Sequence, residues 1–177
     1  TTAATETSLS KKERKKLKTA PMVVEVNAKN SKEYARMLES FWKLSEYNET
    51  TRIEGTRNII KYFGQVKRGD EAYTYVLTRL VKGLASNRKY SRLGYSACLT
   101  ELMNTSRSLT FSEILAVAKT HLTTTAAATA AADKLTMLTK EELRHMHVGL
   151  LFVYLAWIQS SRFLDSDDST IQTIVDD

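Results

Sequence analysis

The stretch DEAYTYVLTRLVKGLASNRKYSRLGYSACLTELM, residues 70–103, decides the fold. Tyr73, Val76, Leu77, Leu80, Val81 and Leu84 fall three and four positions apart, the spacing of one face of an α-helix. Asp70 stands ahead of them as a helix cap. Asn87 is a second cap, and after it Tyr90, Leu93, Tyr95, Cys98, Leu99, Leu102 and Met103 resume the helical period. The unit is therefore two amphipathic helices joined by a short turn. Gly83 and Gly94 lie inside these helices, where each costs ~1 kcal/mol against alanine. Close approach of a neighbouring helix is the expected reason for both.

The same unit extends in both directions. Upstream, Asn30 with Glu33 makes a capping pair for a helix that carries Tyr34, Met37, Leu38, Phe41, Trp42 and Leu44 to about Glu46. Asn48 caps the next helix, whose apolar positions Ile53, Ile59, Ile60 and Phe63 lead to Gly64, a residue suited to a left-handed terminator. Downstream, Thr110 with Glu113 forms a capping box for a helix bearing Phe111, Ile114, Leu115, Ala118 and Leu122. Thr139 with Glu142 repeats the box ahead of a helix from Lys140 to Ser160 with Leu143, Met146, Leu150, Leu151, Tyr154, Leu155 and Ile158 on its apolar positions. As the most apolar of the six, that helix is expected to be the most enclosed.

Helix pairs start near residues 31, 71 and 110, a period of about 40 residues, which is that of HEAT and armadillo repeats. The expected fold class is all-α, built of armadillo/HEAT-like antiparallel helix-pair repeats. A compact six-helix bundle has the same local pattern and stands as the alternative.

Composition agrees with helices. One proline and six glycines in 177 residues leave few chain breakers. Cys98 is the sole cysteine, so no intramolecular disulfide can form, and a reducing compartment with a buried, inert thiol is expected. The longest apolar run, Val148 to Ile158, is too short to span a bilayer. The chain begins Thr1-Thr2 without an apolar signal stretch, as a piece of a longer, unsecreted protein would.

Residues 1–20 hold Thr, Ser, Lys and Ala with almost nothing to bury and are expected to be a disordered basic tail. Residues 21–30 are expected to be an extended lead-in, and residues 31–177 the helical-repeat domain, interrupted by an Ala/Thr-rich spacer over 121–138. Ser169 with Gln172 indicates a last helix through Ile171, Ile174 and Val175.

The formal charge is +6, and Lys11, Lys12, Arg14, Lys15, Lys16 and Lys18 against Glu6 and Glu13 account for four of these charges. The basicity belongs mainly to the tail, which is a candidate nuclear-import signal or phosphate-binding arm. A second basic group, Lys82, Arg88, Lys89 and Arg92, gathers at a helix-helix corner with Tyr90 and Tyr95 interleaved. Packing explains most of that corner, while Arg88 and Arg92, four apart on one face, are a candidate site for phosphate, nucleic acid or an acidic partner.

Nothing assembles a catalytic centre. His145 and His147 are two apart and face different sides of a helix, and His121 is distant, so no zinc ligand set forms. Gly64 to Gly69 lacks a preceding strand and the Lys-Ser/Thr ending of a phosphate loop, and is expected to be an interhelical turn. Trp42 and Trp157 are expected as core or repeat-interface anchors. No enzyme activity, cofactor, metal or small-molecule substrate is expected, and no membrane.

Two blocks carry a family resemblance: Phe41-Trp42-Lys43-Leu44-Ser45 with Glu49-Thr50-Thr51-Arg52, and Leu80 through Ser96. With Leu99-Thr100-Glu101-Leu102 and Phe111, Ile114 and Leu115 at matching spacing, residues 38–122 resemble the N-terminal region of the Myb-binding protein 1A family, also called the DNA polymerase phi or polymerase V family. Met146 to Phe152 approximates a further family motif. The resemblance implies a nuclear, nucleolar helical scaffold acting in ribosomal RNA gene transcription, ribosome biogenesis and transcriptional co-regulation through nucleolar and transcription-related protein partners. Sequence-independent binding of ribosomal DNA or RNA backbone, by the tail and the basic corner, is the alternative. The polymerase in the family name calls for acids converging on two metal ions, and the acids here are scattered at helix starts and solvent faces.

Overall fold

The computed structural model describes residues 28–123 and 139–163. Six α-helices and one closing 3-10 turn make up its regular structure: α1 Ala28–Lys43, α2 Glu49–Phe63, α3 Glu71–Leu84, α4 Lys89–Thr105, α5 Phe111–Leu122 and α6 Lys140–Gln159, then Ser161–Phe163. The described residues contain no strand, so the chain is all-α. It divides into two units at Lys32 and Glu33, the first of which contributes only the opening turn of α1 to the described residues.

Six residues of α3, Tyr73, Val76, Leu77, Leu80, Val81 and Leu84, are buried, the face that its spacing predicts. Helix α3 packs against α4, α5 and α6; α4 packs against α2, α3 and α6; α5 packs against α6. Phe41 of α1 meets Tyr75 of α3 edge-on at 6.3 Å, and Tyr34 meets Tyr62 of α2 at 6.0 Å. The odd-numbered helices thus neighbour one another in one row and the even-numbered in a second, each consecutive pair bridging the rows. That adjacency is compatible with stacked helix pairs. One continuous core fills the space between the rows, with Phe41, Leu80, Leu99 and Ile114 among its fully enclosed side chains.

Caps follow the sequence in part. Asn48 accepts from the Thr50 N–H at 2.8 Å, and the Thr110–Glu113 and Thr139–Glu142 boxes form with both reciprocal bonds. Asp70 occupies the cap of α3 without a side-chain bond. Asn87 does not cap α4; Arg88 does, its N–H donating to Ser86 Oγ at 3.2 Å. Asn30 lies inside α1, which starts two residues earlier. Gly64 ends α2 in the right-handed helical region, φ −65°, so the left-handed residue of that turn is Gly69, φ 89°. The first orphan carbonyls are met by the Gly64 N–H donating to Ile60, which leaves no need for a left-handed terminator there.

Six apolar residues expected inside are exposed. Trp42 is 70% exposed and lies outside the core of the described residues, whereas Trp157 is buried against Phe111 with ring centroids 4.3 Å apart. Ile53 and Leu93 also face outward. Helix α6 is not the most enclosed: it buries Gly149, Val153, Ala156 and Trp157 and turns Leu151, Leu155 and Ile158 to the outside. The reason is steric. A Cβ on Gly149 would stand only 3.1 Å from the Ala85 backbone nitrogen, so α6 docks by the face that carries Gly149 and the leucines are left on the opposite side.

The tail, residues 21–27 of the lead-in, most of the Ala/Thr-rich spacer and the Ser169 helix lie outside the described residues, while residues 28–30, expected to be extended, form the first turn of α1.

Candidate functional site

Two sequence blocks far apart in the chain come together around α1 and α4. Phe41 stacks on Tyr95 at 6.2 Å and 19°, and the Tyr95 hydroxyl donates to the Phe41 carbonyl at 3.2 Å. Burial pushes the Tyr95 phenol above its ordinary range, so it stays a neutral donor. A Cβ at Gly94 would collide with the Leu44 carbonyl oxygen, and one at Gly83 with the Tyr95 ring. Both glycines are therefore fixed by close approach, as their positions inside helices predict.

On the outer side of this contact the side chains form a platform. Arg52 of α2 donates from Nη1 to the Glu46 carbonyl at 2.8 Å and the Tyr47 carbonyl at 2.6 Å, pinning the α1–α2 turn. The same guanidinium lies 5.9 Å from the centre of the Tyr90 ring, and Tyr47 meets Tyr90 edge-on at 4.8 Å. Tyr47 is 75% exposed, and Tyr90 and Leu93, one turn apart on α4, are also exposed. Rings held in place by neighbours offer contact area at little entropic cost, which is what an interaction surface needs.

The predicted basic corner is only partly assembled. Arg92 turns back and donates from Nη1 to the Ser86 carbonyl at 2.6 Å, closing the α3–α4 turn. Lys82 faces α5, where burial first and the Lys82 charge second hold the His121 imidazole below its usual range. Arg88 and Lys89 remain exposed at the start of α4, on the helix that carries Tyr90. Tyr95 is core. Arg52 and Tyr47 escaped the sequence reading as site residues, because an arginine bonded to carbonyls of a turn leaves no periodic signal. Lys11, Lys12, Arg14, Lys15, Lys16 and Lys18 lie outside the described residues.

Cys98 is fully buried and its thiol is pushed up to about 12 by burial, the state of an inert packing residue. Among the described residues no three His, Cys, Asp or Glu converge as a metal site would require. No described helix is long and apolar enough to cross a membrane.

Fold and surface together define an all-α protein that presents a braced aromatic platform beside exposed cations. The family model described as DNA polymerase phi matches residues 75–177, more than half of the chain. The chain belongs to that family. It is 41% identical to the rDNA transcriptional regulator POL5 of Saccharomyces cerevisiae over 66 residues, 36% of this chain and 6% of that protein. It is 30% identical to the rDNA transcriptional regulator pol5 of Schizosaccharomyces pombe over 76% of this chain and 12% of that protein. Against Myb-binding protein 1A of Homo sapiens the identity is 26% over 82% of this chain and 10% of that protein. The chain thus spans between 6% and 12% of the length of these relatives. No solved structure matches it.

Proposed function

We propose that this chain is a nuclear, nucleolar scaffold segment that takes part in ribosomal RNA gene transcription and ribosome biogenesis by binding other proteins. One observation carries the reading: the two blocks of family-like sequence, remote along the chain, pack into a single rigid corner whose outer face is the Tyr47, Arg52 and Tyr90 platform. A buried junction alone would not need two exposed tyrosines braced by an arginine. The names of the relatives, rDNA transcriptional regulator and Myb-binding protein, support the same context. They name regulators and a binding protein, which supports a chain without a catalytic step of its own.

The second reading is direct binding of ribosomal DNA or RNA backbone through Lys11 to Lys18 with Arg88 and Lys89. Its support is the concentration of positive charge in the tail.

Ionic strength separates the two. Binding of the full chain to a fluorescent duplex of random sequence is measured from 50 to 300 mM salt, as orders of magnitude for a phosphate-led complex. The scaffold reading expects weak binding that vanishes near physiological salt. A tight complex with a slope of about −0.9 per contact, lost on removing residues 1–20, would instead establish the second reading. For the first, Tyr47→Ala with Tyr90→Ala, placed in the protein as the cell makes it, is expected to lower pulse-labelled precursor ribosomal RNA with protein abundance unchanged. Normal labelling in that double variant would remove the platform from the function.

A further inference from the structure

At the opposite ends of α2 and α4 from the platform, a cavity of about 280 Å³ opens between the α2–α3 turn and the α4–α5 turn. Its floor is apolar, made by Ile60, Phe63 and Leu102. Its rim is cationic and hydroxylic: Arg68 on one side, Arg107 and Ser108 on the other. Tyr73 also lines it, and is itself only 5% exposed.

The hydrogen bonding around that rim is uneven. Arg68 Nε donates to Glu113 Oε1 at 2.8 Å, and Glu113 Oε2 accepts from the Thr110 N–H and hydroxyl, both at 3.0 Å. Both carboxylate oxygens are thereby engaged. Arg107 takes part in no ion pair among the described residues, so the rim carries two guanidiniums against one carboxylate. The buried Tyr73 Oη has no protein hydrogen-bond partner among the described residues. A buried phenol left in that state forgoes its bond to water without a replacement, and the large majority of buried side-chain polar atoms are paired. It is a donor without an acceptor, within the fields of the Glu113 carboxylate and the Arg68 guanidinium, in a cavity whose lining also includes Arg107 and apolar side chains.

We propose that this cavity is a binding site for the anionic side chain of a partner protein, a carboxylate or phosphoester head on an apolar stem. The head takes the Tyr73 hydroxyl and the Arg107 guanidinium; the stem rests on Phe63 and Leu102. A free neutral ligand would satisfy the phenol and ignore the arginines, and a hydrated inorganic anion would leave the floor unused. The protein source of the anion rests on the scaffold reading above, but the chemistry of the site is tested on the purified chain alone. Its failure therefore leaves the scaffold reading standing.

The test is an amide NMR titration of the full chain with three probes: phenyl phosphate, inorganic phosphate and neutral phenol. Saturable shifts confined to residues 64–68, Tyr73 and residues 105–108, with phenyl phosphate binding more tightly than either other probe, are expected. Arg107→Gln and Tyr73→Phe should each weaken phenyl phosphate about tenfold, the worth of one charge-assisted hydrogen bond. Melting of Tyr73→Phe provides an independent readout. An unchanged or raised Tm is expected, because an unpaired hydroxyl is removed; a clear fall would mean that the phenol is satisfied within the protein or by water, and would overturn the proposal. Equal binding of phosphate and phenyl phosphate, or shifts centred on Arg88 and Lys89 and indifferent to both variants, would overturn it too.

Discussion

Gly94 and Gly64 occupy opposite ends of what a missing side chain can do. At Gly94 an added methyl group meets the Leu44 carbonyl, which belongs to backbone and cannot step aside. Gly94→Ala is expected to cost about 3 kcal/mol in urea unfolding, at the top of the overpacking range. At Gly64 the conformation is already helical and the nearest atom would be 3.6 Å away, so Gly64→Ala should stabilise by about 0.5 kcal/mol through the unfolded chain. Equal effects at the two sites would contradict the packing described. Glu113 adds a pH signature. Burial raises its carboxyl, but the Thr110 backbone and hydroxyl and the Arg68 guanidinium outweigh that and hold it below its ordinary 4.5. A carboxyl lowered by folding stabilises above its unfolded value and loses that contribution as pH falls through its folded value. Glu113→Gln should therefore lower Tm at neutral pH and flatten the loss of Tm below about pH 4.5. A variant whose acid limb parallels the parent would show that the charge of Glu113 contributes nothing.

At the scale of the element, α6 separates hydrophobicity from burial. Leu151, Leu155 and Ile158 recur at four and three residues, a stripe that helical periodicity assigns to a core. They are 66%, 41% and 57% exposed. At about 100° per residue the stripe lies opposite the buried Val153, Ala156 and Trp157, so α6 has two apolar faces and the fold uses the one that contains Gly149. Trp157→Ala is expected to cost about 3–5 kcal/mol, since the indole stacks on Phe111 inside the core. Leu155→Glu should change stability by no more than about 0.5 kcal/mol. Thermal melts of the two variants decide the matter, and a large loss in Leu155→Glu would place the leucine stripe inside.

Across the whole molecule, α3 is the element that the others share, touching α4, α5 and α6 while Tyr75 on it receives Phe41 from α1. Among the described residues one core runs continuously from Met37 to Trp157 and joins all six helices. Unfolding is expected to be a single transition, with far-ultraviolet circular dichroism and tryptophan fluorescence giving the same midpoint. Transitions separated by more than the fitting error would show that the first and last helix pairs melt on their own. The cavity between the α2–α3 and α4–α5 turns belongs to this scale too, since its lining comes from residues up to 48 positions apart in the chain, Ile60 to Ser108.

Sequence alone determined the helices, most of their caps and the inward face of α3, because capping chemistry and a 3.6-residue period are local properties of the chain. It also determined the two glycines of the corner, since a costly residue inside a helix needs a neighbour to explain it. Tertiary structure decided everything that depends on which of two competing contacts wins. Trp42 and the α6 leucines are apolar enough to be core, but the space went to Phe41 and to Gly149, whose shapes let the helices come closer. Arg92 was legible as a cation and not as the cap of the Ser86 carbonyl. Arg52, Tyr47, Arg107 and the unpaired phenol of Tyr73 became a platform and a cavity only when turns distant in sequence were brought side by side.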